Sequence, residues 1–245
     1  MVPAGSSVRT RLASALVICG LAVVASVFVG AQAADPDPTR FAGDIDAFRQ
    51  WDSKNTVPAD GILFVGSSTI RLWPTAERFP GLSVINRGFG GSQISDVNHY
   101  FDDVVGKYRP ATIVFYAGDN DINDGKTPQR VAADVRAFVS RAREMRADVR
   151  FFYLPIKPSP ARWEKWPLMR EANDLVRADI DADTRSRGGQ PVLFYADVAT
   201  PMLTADGQTQ SHLYVADGLH LSTAGYDLWT QVLGDTLLGS SFLDM

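Results

Sequence analysis

Ile62-Leu63-Phe64-Val65-Gly66-Ser67-Ser68-Thr69 is the stretch on which the reading of this chain turns. Four apolar residues closed by a turn signal predict a short buried strand. The Gly-Ser-Ser behind them predicts a tight strand-to-helix turn that carries a hydroxyl. In an open parallel α/β sheet such a turn sits at the carboxyl edge, where ligands bind. Small residues after a strand more often make a turn and nothing else, so the stretch gains meaning from what other segments bring to the same edge.

Working outward, Leu82 to Asn86 reads as a second strand, running into Arg87-Gly88-Phe89-Gly90-Gly91. Ser92 is the expected N-cap of a helix through Lys107. Thr112 to Ala117 is nearly continuous in apolar residues, as a strand covered on both faces must be. Gly118-Asp119-Asn120-Asp121 follows it, and Thr127-Pro128 opens a helix to about Arg146. The fourth strand spans Val149 to Leu154 and leads into the proline-rich loop from Pro155 to Pro160. A long helix is expected from Ala161 or Arg162 to Arg187, closed by Gly188-Gly189, and Val192 to Tyr195 is the fifth strand. Ser222 caps a last helix to about Leu238. Upstream, Ile45, Phe48 and Trp51 share a face of a short helix from Asp44 to Trp51. Five strands alternating with helices predict one doubly wound α/β domain with a five-stranded parallel sheet.

The N-terminus reads differently. Arg9 and Arg11 precede an apolar run from Leu12 to Val29, and Ala31-Gln32-Ala33 has the small-x-small form of a cleavage site. This predicts a bacterial-type signal peptide over residues 1–34 and export to the periplasm or beyond. The run is long enough that an uncleaved anchor is the alternative, and that is the only expected membrane contact. Residues 35–59 are expected to pack on the domain formed by residues 60–245. Cys19 is the only cysteine and lies in the leader, so the mature chain has no disulfide, thiol nucleophile or cysteine metal site. Loss of Arg9 and Arg11 moves the formal charge from −4 to −6. With no basic run, that excludes nucleic acid as an expected partner.

For Ser68 to act as a nucleophile its proton needs an acceptor, commonly a histidine oriented by a carboxylate. Of the three histidines, His99 falls within a helix and reads as structural, and His212 has no carboxylate at a defined spacing. His220 follows Asp217 by three residues in the turn before the last helix. Acyl transfer also needs donors for the developing oxyanion. The N–H of Gly91, the side-chain amide of Asn120 and the N–H of Ser68 are suitable in kind.

Gly66-Ser67-Ser68, Asn86-Arg87-Gly88-Phe89-Gly90-Gly91, Gly118-Asp119-Asn120-Asp121 and Asp217-Gly218-Leu219-His220 together resemble, in order, the four blocks of the SGNH (GDSL-type) hydrolase superfamily. The resemblance implies a flavodoxin-like three-layer α/β/α sandwich and ester hydrolysis through a serine acyl-enzyme, without metal or other cofactor. Carried over by position, Ser68 is the nucleophile, His220 the base, Asp217 its orienting carboxylate, and Ser68, Gly91 and Asn120 the oxyanion donors. The first block departs from the usual Gly-Asp-Ser, because Ser67 stands where the Asp belongs. Two adjacent serines then compete for the role, and the third position of the block favours Ser68.

Two other motifs fail on inspection. Counted from Asp119, an EF-hand loop would need Gly at Asp124 and Glu at Arg130. A dinucleotide fingerprint beginning at Gly88 would need Gly at Gln93. A non-catalytic flavodoxin-like protein that binds a ligand or carbohydrate is the alternative of a different class. The expected substrates are small-molecule, glycan or lipid esters with short acyl or acetyl groups. Arg162 and Trp163, in the loop after the fourth strand, are the candidate substrate contacts.

Overall fold

In the computed structural model, residues 1, 33–58 and 60–241 are described; the expected leader, Cys19 included, lies almost wholly outside them. Five strands pair in parallel in the order β2-β1-β3-β4-β5: β1 Ile62–Gly66, β2 Val84–Gly88, β3 Thr112–Tyr116, β4 Arg150–Tyr153 and β5 Leu193–Tyr195. This is the flavodoxin-like order, and its reversal falls between β1 and β3. The second strand begins two residues later than expected. Leu82 is exposed beyond the turn at Pro80-Gly81, and pairing with β1 continues to Gly66 opposite Gly88.

Alternation along each strand divides the core in two. Leu63, Val65, Ile113, Phe115, Phe151 and Tyr153 face one layer. That layer is built from α1 (Ala42–Asp52), α4 (Ile94–His99), α5 (Phe101–Val104), α7 (Pro128–Met145) and α8 (Trp166–Ser186). Phe64, Val114, Tyr116 and Phe152 face the other, where Ile70, Trp73, Phe79 and, from α9 (Thr223–Ser241), Tyr226, Trp229 and Leu233 pack. The two short helices α2 (Ser68–Arg71) and α3 (Thr75–Arg78) also lie there. Each fully buried side chain of this size is worth about 1.5–3 kcal/mol, so both layers contribute substantially to folding.

Local capping follows the sequence in two places and departs from it in a third. The Thr127 side chain accepts the Arg130 N–H at 3.2 Å, and Ser222 Oγ accepts the Gly225 N–H at 3.2 Å. Ser92, by contrast, is not a cap: its hydroxyl is directed at the Gly66 carbonyl, 3.3 Å away. Gln93 takes that position, with its own N–H held by Asp96 at 2.8 Å. The expected helix through Lys107 is broken at Tyr100 into α4 and α5. The long helix starts later than expected, with a 3-10 segment over Pro160–Lys165 leading into α8. Trp51 leaves the apolar face of α1 and is exposed, its ring beneath the Arg87 guanidinium at 4.6 Å. Residues 35–52 are tied to the sheet layers through Phe41 and Ile45, through Asp35 with Lys126 at 2.8 Å, and through Asp52 with Arg87 at 2.6 Å.

The end of β1 depends on a glycine. Gly66 has φ +141°, and a Cβ there would lie 1.8 Å from the Tyr116 carbonyl oxygen. Neither the dihedral nor the space admits a side chain. We expect Gly66→Ala to lower stability by on the order of 3 kcal/mol, read as a fall in the urea midpoint. Gly43→Ala, in α1 with nothing within 4 Å, should raise it by up to about 1 kcal/mol.

Candidate active site

The turn after β1 separates the two serines. Ser67 is fully buried and extended, its N–H donates to the Tyr116 carbonyl at 3.0 Å, and its hydroxyl has no partner among the described residues. Ser68 opens α2 and is partly exposed. Its Oγ lies 3.0 Å from His220 Nε2, and His220 Nδ1 lies 2.6 Å from Asp217 Oδ2. Residues 152 positions apart thus form one hydrogen-bonded chain.

Asp217 is itself held by its own turn. Its Oδ1 accepts the N–H groups of Leu219 at 2.8 Å and His220 at 2.9 Å. The His220 ring and these two N–H groups pull its pKa down to about 2, so it is ionised wherever a histidine titrates. The turn is anchored at both sides: Val215 N–H donates to the His220 carbonyl at 3.0 Å, and Ala161 N–H to that of Gly218 at 3.1 Å. Tyr214 donates its hydroxyl to the Pro158 carbonyl.

Gly91, at φ +83°, and Asn120, in the short helix α6 (Asp119–Asn123), face the same cleft. The N–H groups of Ser68 and Gly91 take no acceptor among the described residues. The Asn120 amide is oriented from both ends. A guanidinium only donates, so Arg162 Nη2, 3.0 Å away, selects the amide oxygen. The amide nitrogen then donates one hydrogen to the Ser92 carbonyl at 3.0 Å and keeps the other. Asp121, the last residue of that block, accepts the Ile94 N–H and is paired with Lys126 at 3.0 Å. It therefore holds the turn that carries Gly91. Burial raises its pKa to about 6 despite the opposing Lys126 charge.

A charged cluster underlies the cleft. Lys157 is 1% exposed. Its ammonium reaches Thr69 Oγ1 at 3.2 Å, the Tyr116 hydroxyl at 3.1 Å and Asp119 at 3.5 Å, and Arg162 Nη1 lies 3.3 Å from the same carboxylate. Burial pulls the Lys157 pKa below its ordinary value, Asp119 opposes this and Arg162 adds to it. Sequence reading missed Lys157, because a lysine in a proline-rich loop gives no sign of being buried.

The cleft, about 410 Å³, is lined by Ser68, Arg71, Leu72, Gly90, Gly91, Asn120, Arg162, Leu219 and His220. Arg162 thus belongs to it, though its guanidinium is engaged by Asn120 and Asp119. Trp163 is not among the lining residues and stacks on Trp166, with centroids 6.4 Å apart. Trp73 and Phe89 are core residues, and His99 packs edge-on against Tyr100. A larger groove of about 600 Å³ between α7 and α8 contains none of these groups, and the ion pairs Arg136–Asp179 and Arg143–Asp183, each 2.6 Å, line it.

The GDSL-like Lipase/Acylhydrolase family matches residues 71–228, well over half of the chain. The chain belongs to this family. It is a carboxylic ester hydrolase. Solved structures share its fold at low sequence identity. A GDSL-like lipase from Bacteroides thetaiotaomicron is 19% identical with a TM-score of 0.63, the match covering 83% of this chain and 98% of that one. An acetylxylan esterase from Geobacillus stearothermophilus, solved as a catalytic mutant, is 12% identical with a TM-score of 0.58, covering 74% and 96%. A family 3 carbohydrate esterase from Clostridium thermocellum is 15% identical with a TM-score of 0.56, covering 76% and 98%. No match was found among curated proteins.

Because the Ser67 hydroxyl is buried without a partner among the described residues, Ser67→Ala removes a desolvated polar group and leaves no gap of consequence. We expect its thermal midpoint to be unchanged or raised, by the equivalent of about 1 kcal/mol at most. A marked fall would mean that the hydroxyl is bonded in solution.

Proposed function

We propose that this chain is an exported serine esterase that cleaves short-chain acyl or acetyl esters, sugar- or lipid-linked, through an acyl-enzyme. The observation that carries the reading is the chain Ser68–His220–Asp217 beside two N–H groups, of Ser68 and Gly91, without an acceptor among the described residues, in one cleft. His220 takes the Ser68 proton as Oγ attacks the ester carbonyl, and Asp217 stabilises the imidazolium. The N–H groups of Ser68 and Gly91 and the free amide hydrogen of Asn120 receive the oxyanion. The alcohol leaves with the proton from His220, and water activated by the same ring releases the acid.

Export is supported by the leader-like residues 1–34, with Arg9 and Arg11 before the apolar run and Ala31-Gln32-Ala33 after it. The mature chain would then begin near Asp35, with residues 35–59 preceding a hydrolase domain over residues 60–245. Preference for small acyl groups is supported by the modest size of the cleft and by the shared fold with an acetylxylan esterase.

The deciding experiment follows hydrolysis of 4-nitrophenyl acetate, butyrate and octanoate by the wild type, Ser67→Ala and Ser68→Ala. Turnover should fall on the order of 10⁴-fold or more in Ser68→Ala alone, and be highest on acetate or butyrate. Equal, feeble turnover by all three proteins would favour a binding protein on this fold, and loss in Ser67→Ala alone would move the nucleophile by one residue.

The pH profile offers an independent check. Protonated His220 cannot accept the Ser68 proton, whereas Asp217 stays ionised down to about pH 2. Activity should therefore fall on the acid side, with no contribution from Asp217 above about pH 2. A rate that held constant down to about pH 4 would overturn the assignment of His220 as the base.

A further inference from the structure

α2 is one helical turn, Ser68-Thr69-Ile70-Arg71, and its residues divide sharply between inside and outside. Thr69 and Ile70 are fully buried. Ser68 and Arg71, three apart and so on the same side of the turn, both line the cleft. The Arg71 guanidinium lies over Gly90, with Nη1 2.8 Å from where a Cβ on that residue would stand. The side chain therefore lies along the glycine turn that carries Gly91. Arg71 is exposed and its backbone N–H donates to the Ser67 carbonyl at 3.1 Å, but among the described residues its guanidinium has neither hydrogen-bond nor ion-pair partner. Many of the chain's other arginines are paired with aspartates: Arg40 with Asp96, Arg87 with Asp52, Arg130 with Asp134, Arg143 with Asp183.

The charge balance around the cleft is positive. Its lining includes Arg71 and Arg162 and no carboxylate. Beneath it, Asp119 is shared between Lys157 and Arg162, so one carboxylate faces two cations. Asp217 stays ionised beside His220, so Arg71, Arg162 and Lys157 outnumber the carboxylates Asp119 and Asp217 by one. In a chain of formal charge −4, the cleft is thus a local excess of positive charge, which concentrates anions at its mouth. A guanidinium with free donors suits a carboxylate or phosphate in particular.

We infer that Arg71 is a specificity residue that binds an anionic group, carboxylate or phosphate, carried by the ester substrate close to the scissile carbonyl. This rests on the esterase reading above and narrows it to acidic substrates, such as acylated sugar acids or acyl phosphoglycerols. Leu72 and Leu219 supply the apolar wall of the same cleft, against which a short acyl group fits.

The test compares 3-carboxyphenyl acetate with its neutral counterpart 3-carbamoylphenyl acetate, and acetylated glycerol 3-phosphate with monoacetyl glycerol. For the wild type, kcat/KM should favour the anionic member by about tenfold in at least one pair, and which pair does so distinguishes a carboxylate from a phosphate. The preference should shrink as salt is raised. Arg71→Ala should bring the anionic-to-neutral ratio close to one, Arg71→Lys should retain part of it, and Arg71→Glu should invert it. No preference in the wild type, or a ratio unmoved by Arg71→Ala and Arg71→Glu, would overturn the inference. Calorimetric binding of 3-carboxyphenyl acetate and its carbamoyl counterpart to Ser68→Ala judges the subsite without turnover. Selective binding of the acid there, lost on adding Arg71→Glu, would uphold the subsite even if the wild type hydrolysed no ester, and an inert wild type would count against the esterase reading alone.

Discussion

The Ser67 N–H bond to the Tyr116 carbonyl, 3.0 Å long, sews the end of β1 to the end of β3 at the point where strand order reverses. It forms only because Gly66 brings the two backbones closer than any side chain would allow. Past that bond the chain has one direction available. Ser67 turns inward, and Ser68 begins a helix whose first side chain faces the rim. Asn86 fastens the far end of this helix, donating to the carbonyls of Ile70 at 2.7 Å and Trp73 at 3.1 Å. Tyr226 fastens its near end by donating to the Thr69 carbonyl at 2.9 Å. The reactive hydroxyl therefore sits on backbone restrained from three elements.

The layer beneath is polar, which is uncommon for a buried site and costly unless every group is paired. Lys157, Thr69, Tyr116 and Asp119 meet that condition together, and Arg162 joins them through its ion pair with Asp119, although its Nη1 makes no hydrogen bond among the described residues. The cluster links the turn after β1, the end of β3, the start of α6 and the loop after β4. Its outermost member, Arg162, orients the Asn120 amide. The charge thus serves geometry: a buried ion network is directional, and apolar packing of equal volume would leave the amide free to flip.

Much of this was legible in the residues. Continuous apolar runs at Ile62 to Val65 and Thr112 to Ala117 predicted strands covered on both faces, and parallel pairing with helices on both sides followed. The blocks containing Ser68, Gly91, Asn120 and Asp217-His220 were each visible because glycine, asparagine and aspartate mark turns whatever the surrounding fold. Arg71 was also within reach, since a serine and an arginine three apart at a helix start must share a side. Helix boundaries were less legible. Ser92 has the chemistry of an N-cap, but the nearby Gly66 carbonyl competes for its hydroxyl, and no local rule weighs a contact from 26 residues away.

By itself the sequence determined the number of strands and the turns that carry the site, because these rest on local periodicity and on residues with restricted backbone preferences, and the resemblance of its four blocks pointed to the family. Tertiary structure decided which of two adjacent serines meets the histidine, since that depends on the 3.0 Å bond that turns Ser67 inward. It also decided that Lys157 is buried and Trp163 lies off the cleft, while the Arg71 guanidinium lines it without a partner among the described residues. Burial and pairing are set by what distant segments place around a side chain, and a single chain read in order contains no measure of that distance.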